Sequence, residues 1–488
     1  MASDPWQEKR PNATKESNKD RDDKVDGLLR RGATEPAKFN ESVWGRVFNR
    51  RRDTARVPRA VIHVSNRVQI RAAVEWANRE DCRISVRSGG HSWAAWSVRH
   101  DALLIDLGNL RDISYDHRTK IVSCSPSTTG RVLNDFLGTK GRIFAGGHCP
   151  DVALGGFLLQ GGMGWNCKGW GWACESIVGI DVVTADAKEI YCSSVENTDL
   201  FWAARGAGPG FPAVVTRFHL LTRPSLEMYN CVYVYPVSEY RTVLQWVIDT
   251  SPTADPDTEI VCVSRRSADG DGIQIIAGFT TFKASKQEAE EALQPVHNGR
   301  PQNAVMELFC DPTSLTQEYI DQEEAQPVGL RYCSENAYIA NEEDVPSVLE
   351  SAFTTLPTQK SFALYFAMNP TSRRALPDMA LSMHSDHYFA MYTIWKNETE
   401  DDRCVSWVHN IMQGVERHSV GSYLGDADFQ RRTTMFWSED HGERLAMVRR
   451  KWDPQGRICG YLDSGDKSGI DGLKNQFEWI VDRSENRQ

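Results

Sequence analysis

Residues 146–165 have the sequence GGHCPDVALGGFLLQGGMGW, in which glycine pairs recur around a short apolar segment. Glycine lets a backbone take positive φ or pass close to a ligand without a steric penalty. Successive N–H groups in such a bend form a concavity that suits anionic or carbonyl-rich ligands. Cys149 lies at the mouth of the predicted bend, so its thiol can face a bound ligand. On its own, the run also fits a glycine-rich turn with a buried, inert cysteine.

A second glycine-rich run, SVRSGGHS at residues 85–92, follows a stretch whose alternating apolar residues predict a strand. An earlier strand over 60–64 and a helix that begins near Ser65-Asn66 complete a β-α-β order. The Gly89-Gly90 loop then lies beyond the carboxyl end of a strand, where open α/β sheets bind ligands. Arg87 would supply a fixed positive charge near a pyrophosphate. The glycines lack the G-x-G-x-x-G spacing that nicotinamide dinucleotide sites require.

Together the two runs resemble the flavin-attachment segments of the berberine-bridge-enzyme-like flavoproteins, which belong to the vanillyl-alcohol-oxidase superfamily. The resemblance covers residues 36–225 and, more loosely, 416–462. It implies an α+β chain with a PCMH-type FAD-binding domain and a substrate domain of one antiparallel sheet backed by helices. It also implies FAD attached at two points, through His91 to the flavin 8α carbon and through Cys149 to C6 of the same ring. The further cofactor contacts it implies are Arg87, Ser88, Gly89, Gly90, Ser92, Val152, Gly155, Gly156, Gly161, Gly162, Gly164 and Gly208.

Breaks in the pattern divide the chain into four segments. Residues 1–30 are highly charged without apolar periodicity, which predicts a disordered or loosely docked tail. We expect the FAD-binding domain at 31–225, the substrate domain at 226–415 and a return to the FAD-binding domain at 416–488. Within the first domain, one helical face is expected to carry the apolar residues Val68, Ile70, Ala73, Val74 and Ala77.

Composition limits the possible partners of this 488-residue chain. Its net charge of -10 disfavours nucleic acid, since phosphate binding needs clustered basic surface. No apolar stretch is long enough for a membrane span, and no secretory signal is visible. The 12 scattered cysteines are therefore expected to be reduced thiols, in a cytoplasmic or organellar monomer or homodimer. The expected partners are a small-molecule substrate and dioxygen.

The resemblance implies that an alcohol or amine carbon of a bulky substrate passes a hydride to flavin N5, after which dioxygen reoxidises the flavin and hydrogen peroxide leaves. Tyr423 is the expected catalytic residue. A free phenol has a pKa of about 10, so Tyr423 needs a positive neighbour or a partner base. Relatives carry Tyr-x-Asn and a nearby Asp at this point, whereas this chain has Gly425 in place of the Asn. Ring attachment requires a Cys149 thiolate and an unprotonated His91.

Three alternatives stay open at the level of sequence. The enzyme could be an oxidative cyclase of natural-product biosynthesis, or a dehydrogenase that passes electrons to a protein or quinone. In a different class, His148, Cys149, Cys167 and Cys174 could form a non-redox zinc or binding module, although their spacing is loose for zinc. His384 and His387, three residues apart, could bind a metal on a helix, but a third ligand is missing from the pattern.

Overall fold

The computed structural model describes residues 25–270, 272–428 and 434–460. The strands are β1 (Leu29–Arg30), β2 (Ala60–His63), β3 (Ile84–Arg87), β4 (Leu103–Asp106), β5 (Ile113–Asp116), β6 (Ile121–Cys124), β7 (Arg142–Ile143), β8 (Ile177–Thr184), β9 (Glu189–Cys192), β10 (Ala213–Leu221), β11 (Arg223–Pro224), β12 (Glu227–Pro236), β13 (Thr258–Arg266), β14 (Ile273–Lys283), β15 (Met306–Thr313), β16 (Arg331–Ile339), β17 (Phe362–Ala367), β18 (His387–Trp395) and β19 (Ser419–Gly421). The tail predicted at 1–30 and the end of the 416–488 segment lie largely outside the described residues.

The helices alternate with these strands in the first half of the chain and cluster on one sheet in the second. They are α1 (Pro36–Trp44), α2 (Arg67–Arg79), α3 (Gly130–Gly138), α4 (Leu154–Leu159), α5 (Cys167–Trp170), α6 (Thr198–Ala203), α7 (Tyr240–Thr250), α8 (Lys286–Gly299), α9 (Leu315–Ala325), α10 (Val345–Thr354), α11 (Asp401–Val415) and α12 (Glu439–Trp452). Across the described ranges, no helix is both long and apolar enough to cross a membrane.

The first sheet has the strand order β1-β2-β4-β3, with β2 and β3 both parallel to β4. The crossover helix α2 begins where predicted, because the side chain of Asn66 accepts a hydrogen bond from the Gln69 N–H. Ile70, Ala73 and Ala77 are buried as expected, but Val68 is 58% exposed. The prediction for Val68 is wrong. Val68 is two positions before Ile70, which places it about 200° away around the helix axis, on the face toward solvent.

The second sheet is antiparallel, with the order β5-β6-β10-β8-β9. Its β8–β9 hairpin turns near Asp186, and Ala187 takes a positive φ of 64° there. The loop that carries Cys149 runs between β7 and α4, so it reaches the same region as the loop that follows β3. These two loops are the expected flavin-attachment segments.

The third sheet is antiparallel and has eight strands in the order β15-β12-β14-β13-β17-β18-β16-β19. The sequence pattern of this region predicts strands at 231–235, 259–264, 273–279, 305–309, 362–367 and 388–395 and helices at 240–249, 286–293, 345–353 and 403–412. Each of these elements is present, whereas β16 and α9 were not predicted. The middle of β16 is Ser334-Glu335-Asn336, which hides the apolar alternation. These polar residues are buried, and Asn336 has hydrogen-bond partners there. Its side-chain amide donates to the Tyr423 carbonyl oxygen and accepts from the Tyr423 N–H. On α9, Tyr319 is the buried residue, so the apolar period was too weak to detect.

The eight-stranded sheet has two different faces because side chains alternate along each strand. One face packs on α7, α8, α10 and α11 through residues such as Ile260 and Cys262. The other face, which we call the cavity face, presents from β13 the residues Glu259, Val261, Val263 and Arg265. Tyr388 and Tyr392 lie on the cavity face while Trp395 packs with the helices, as the strand period predicts. The hypothesis that His384 and His387 lie on one helix is wrong, because His387 is the first residue of β18.

Candidate active site

A cavity of about 410 Å³ lies between the two glycine-rich loops and the cavity face of the eight-stranded sheet. This volume is in the range of small-molecule and cofactor sites. Most residues that the sequence assigns to the site line it. They are Arg87, Ser88, Gly89, Gly90, His91, Ser92, Cys149, Val152, Gly155, Gly156, Gly208 and Tyr423.

Gly161, Gly162 and Gly164 lie behind the cavity wall. Gly161 and Gly162 have φ values of +110° and +78°, a conformation that side-chain-bearing residues rarely adopt. This bend turns the Met163 N–H toward the Tyr423 hydroxyl. At Gly164, a Cβ would lie 2.1 Å from the Ala145 carbonyl oxygen, so glycine allows the close approach of two chain segments.

The glycines of the two loops either allow close approach of another chain segment or leave space at the cavity wall. At Gly90, which has a φ of +86°, a Cβ would lie 2.0 Å from the Arg46 carbonyl oxygen. At Gly89, a Cβ would lie 2.8 Å from that of Ala153, so the two loops touch at this point. At Gly156 a Cβ would meet no atom within 4 Å, which means that glycine leaves open a volume that a side chain would occupy.

His91 lies on the cavity wall with its ring stacked on Phe48, at a centroid distance of 4.0 Å and an interplanar angle of 24°. Burial lowers the pKa of His91 to about 4. Removing an imidazolium from water is costly, so the ring is neutral near pH 7. A ring nitrogen is therefore available as a nucleophile, as attachment to a flavin ring requires.

Cys149 faces the same cavity from the other loop, and its thiol donates a hydrogen bond to Gln326 Oε1 at 3.2 Å. Burial, with smaller effects from Asp426 and Asp151, raises the pKa of Cys149 to about 12. The resting form is therefore a thiol rather than the expected thiolate, because burial and two nearby carboxyl groups disfavour a second negative charge.

Arg87 does not provide the free positive charge predicted for a pyrophosphate. Its guanidinium is fully buried and donates to Asp106 Oδ2 from Nε at 2.8 Å and from Nη2 at 2.6 Å. Further bonds reach the carbonyl oxygens of Ser42 and Val43. The charge of Arg87 is therefore balanced, and its role is to hold the end of β3 in place. Near this loop Arg46 contacts both Asp106 and the Ser88 carbonyl.

Tyr423 lines the cavity and its hydroxyl oxygen accepts a hydrogen bond from the Met163 N–H at 3.1 Å. Burial, reinforced by the charge of Asp426, raises the pKa of Tyr423, so the phenol keeps its proton at neutral pH. Its ring also leans over Gly425, where a Cβ would lie 2.4 Å from the ring edge. The glycine that replaces the family's Asn thus makes room for the tyrosine ring.

Asp426 is the buried carboxyl group that acts on Tyr423, and it lines the same cavity. It accepts a hydrogen bond from the Tyr388 hydroxyl at 2.6 Å. Burial raises the pKa of Asp426, against hydrogen bonds from Tyr388, Tyr392 and Trp93 that lower it. A carboxyl group with a raised pKa is closer to the range in which it can take a proton at neutral pH.

His148 and Glu259 form a charged pair at the Cys149 end of the cavity. His148 Nε2 lies 2.9 Å from Glu259 Oε1, and the Asn166 N–H donates to Glu259 Oε2 at 2.6 Å. Burial alone would lower the pKa of His148, but the Glu259 carboxylate outweighs this and raises it above 6.5. The pair sets a fixed charge pattern beside Cys149.

Replacing Glu259 by glutamine is expected to destabilise the fold most strongly below about pH 6.5. In the native protein His148 holds its proton above the pH at which it is lost in the unfolded chain. The stabilisation is therefore fully present below the unfolded pKa and is lost as pH rises through the folded pKa. Urea unfolding at about pH 6 and about pH 9 measures this difference.

Glu343→Gln is the control, because it removes the carboxylate from the half-exposed pair with His418. The Glu343 side chain is 29% exposed against 5% for Glu259, so solvent screens this pair more and its effect on the unfolding free energy should be smaller. A difference between Glu259→Gln and the native protein that grows with pH would contradict the assigned charge on His148.

Comparison with known proteins agrees with this site. The family model described as an FAD binding domain matches residues 58–193. FAD-linked oxidoreductase ptmO from Penicillium ochrochloron is 40% identical to this chain, over 87% of this chain and 94% of that protein. BBE-like 1 from Physcomitrella patens has a TM-score of 0.75 at 17% identity, over 88% and 95% of the two chains. For 6-hydroxy-D-nicotine oxidase from Arthrobacter nicotinovorans the TM-score is 0.77 at 18% identity, over 88% and 96%.

The chain therefore belongs to the FAD-linked oxidoreductases. Its fold is the α+β, PCMH-type arrangement of the berberine-bridge-enzyme-like proteins, as the sequence resemblance implied. This membership overturns the alternative of a zinc or binding module. Cys167 and Cys174 are fully buried in the hydrophobic core, and no group of three metal-ligating side chains occurs among the residues that the structure describes.

The residues present fit an FAD. Gly156 leaves space at the wall, the two glycine-rich loops meet beside it, and His91 and Cys149 face one cavity from separate loops. Asp426, three residues after Tyr423, had no predicted role, and Glu259, Gln326 and Arg265 were not predicted as site residues. Two of these residues could have been found from sequence. Glu259 and Arg265 occupy the same alternating positions of β13 as Val261 and Val263, so a charged residue stands at each end of one strand face.

Proposed function

We propose that this FAD-linked oxidoreductase holds its flavin through both His91 and Cys149 and oxidises an alcohol or amine carbon of a bulky secondary metabolite. Dioxygen is the proposed electron acceptor and hydrogen peroxide the product. The observation that carries the proposal is the position of the two nucleophilic side chains, which reach one cavity from two different loops. A ring gripped from two sides needs no enclosing lid, so one face of the cavity stays free for a large substrate.

The flavin, when bound, supplies a two-electron acceptor, and the protein supplies position and proton transfer. Tyr423 is the proposed base for the substrate hydroxyl or amine. Because its phenol is protonated at neutral pH, its own proton passes to the Asp426 carboxylate as it takes the proton of the substrate. Its oxygen accepts the Met163 N–H, which would also stabilise a developing phenolate. Asp426 is the partner base that the phenol needs, and the Tyr388 hydroxyl holds this carboxyl group in place.

The wall that would contact substrate is mainly apolar, which supports a hydrophobic small molecule. From the cavity face it presents Val261, Val263, Phe362, Leu364, Phe366 and Tyr392. Burying such a surface against an apolar substrate contributes about 25 cal/mol per Å². A small, strongly polar sugar would leave this wall poorly covered.

Two neighbouring functions remain candidates within the same family. An oxidative cyclase would use the same base and cavity but return a ring-closed product. A dehydrogenase would differ in oxygen access, which we place at Ala153 and Leu154. Ala153 lines the cavity beside Gly89, and Leu154 is buried behind it.

Anaerobic screening of alcohols, amines and phenolic natural products for bleaching of the yellow flavin tests the proposal. A substrate should bleach the flavin without oxygen, and admission of air should restore the colour with release of hydrogen peroxide. Bleaching that air fails to reverse would favour the dehydrogenase. Consumption of substrate with a ring-closed product would favour the cyclase.

A further inference from the structure

The cavity-facing row of β13 begins and ends with a charged residue. Glu259 is at one end and Arg265 is at the other, with Val261 and Val263 between them. At about 3.3 Å per residue, the two charged positions are about 20 Å apart. Glu259 is neutralised by His148, which leaves the opposite end to be explained.

Arg265 has no hydrogen bond and no ion pair within the ranges that the structure describes. Its Nε is buried without a partner. Burial lowers the pKa of Arg265, and the charge of Asp321 on α9 offsets this only in part. Arg265 as a whole is half-buried and lines the cavity, so its terminal nitrogens are open to an anion that enters the cavity. An Arg guanidinium has five N–H donors and no acceptor, so the position favours a ligand that supplies oxygen acceptors.

The surroundings of Arg265 are aromatic. Its guanidinium lies over the Phe362 ring, 5.5 Å from the centroid. Phe362 stacks on Tyr392 at 4.6 Å and 22°, and Tyr392 meets Trp93 edge-on at 5.5 Å. This aromatic row runs from Arg265 toward the loop that carries His91, and it offers a flat surface for a planar or polycyclic molecule.

We propose that Arg265 selects the substrate by binding a planar oxygen anion, such as a carboxylate or an acidic enol, at one end of a flat apolar molecule. The guanidinium fork matches two oxygens of such a group, and the low polarity of the surroundings strengthens the bond. The aromatic row holds the body of the substrate. This inference rests on the proposed function, because it assigns the substrate class of the same cavity.

Calorimetric titration with 2-naphthoate and with the neutral, similarly shaped naphthalene-2-carboxamide tests the proposal on the flavin-loaded protein. We expect the native protein to bind the anion at least about tenfold more tightly than the amide. Arg265→Met should weaken naphthoate binding by at least about tenfold and leave amide binding nearly unchanged, and Arg265→Lys should restore part of the loss.

Arg266→Met is the matched control. Arg266 is the next residue on the strand, it donates to the Leu356 carbonyl at 2.8 Å, and it lies outside the cavity wall. The variant removes the same charge, so a general electrostatic effect would appear in both variants. Flavin content and circular dichroism show whether each variant folds.

Equal affinity for anion and amide in the native protein, an unchanged naphthoate affinity in Arg265→Met, or no binding of either probe would each overturn the assignment. The titration needs no turnover, so its result is separate from that of the bleaching screen. Anion selectivity with a flavin that no substrate bleaches would remove the proposed oxidation and keep the role of Arg265. Bleaching of the flavin without anion selectivity would keep the proposed oxidation and remove the role of Arg265.

Discussion

Replacement of Tyr423 by phenylalanine is expected to slow flavin reduction by about 10²–10⁴-fold, the usual contribution of a general base. The change removes the phenol that would take the substrate proton while passing its own proton to Asp426, and it leaves the ring packing on Trp172 and Gly425. Flavin content should stay near that of the native protein. Anaerobic stopped-flow absorbance of the flavin measures the rate directly.

Tyr338→Phe is the matched control for this variant. The Tyr338 hydroxyl is also buried, but among the residues that the structure describes it has no hydrogen-bond partner, and it is not part of the cavity wall. Its loss should leave the reduction rate within a few-fold of the native value. If Tyr423→Phe reduces the flavin as fast as the control does, Tyr423 is not the base, and Asp426→Asn becomes the variant to measure.

The second large effect concerns attachment. His91→Ala and Cys149→Ala should each keep flavin through the remaining bond, with a shifted spectrum and slower reduction. The double variant should release all of its flavin when the protein is precipitated with acid, whereas the native protein should release essentially none. Absorbance of the supernatant and of the pellet gives both quantities.

Cys404→Ala controls for the loss of a thiol, because Cys404 is buried on α11 among the helices of the second core. It should behave as the native protein does. Release of all flavin from the native protein would contradict both bonds, and retention by the double variant would require a third attachment residue.

The two glycine-rich loops could be predicted from sequence because their constraints are local. Glycine at Gly90 is required by a positive φ, and the strand before it follows from apolar alternation. His91 and Cys149 then fall into one cavity because each loop ends at the same edge of the fold. Local pattern therefore predicts the two loops, whereas the roles of His91 and Cys149 come from the family resemblance.

Other features depend on partners that are distant in the chain. Arg87 was expected to meet a ligand, but Asp106 lies beside it on the neighbouring strand and takes its charge. The partner of Glu259 comes from the Cys149 loop, 111 residues away. The polar centre of β16 has no apolar alternation that would predict a strand, and its Asn336 is paired with the distant Tyr423 main chain. Such pairings follow from strand order, which local periodicity does not determine.

Gly425 shows a third case, in which a departure from the family pattern gains a physical reason. The sequence marks a lost side-chain contact at this position. The structure shows the Tyr423 ring occupying the space where a side chain would begin. The substitution is therefore linked to the placement of the proposed base.

Peptide mass mapping of freshly purified protein tests the central claim most directly. After proteolysis, the peptides that contain His91 and Cys149 should appear joined through a single FAD, with a mass equal to both peptides plus one cofactor less the hydrogens lost in bond formation. Finding both peptides at their unmodified masses would contradict the account.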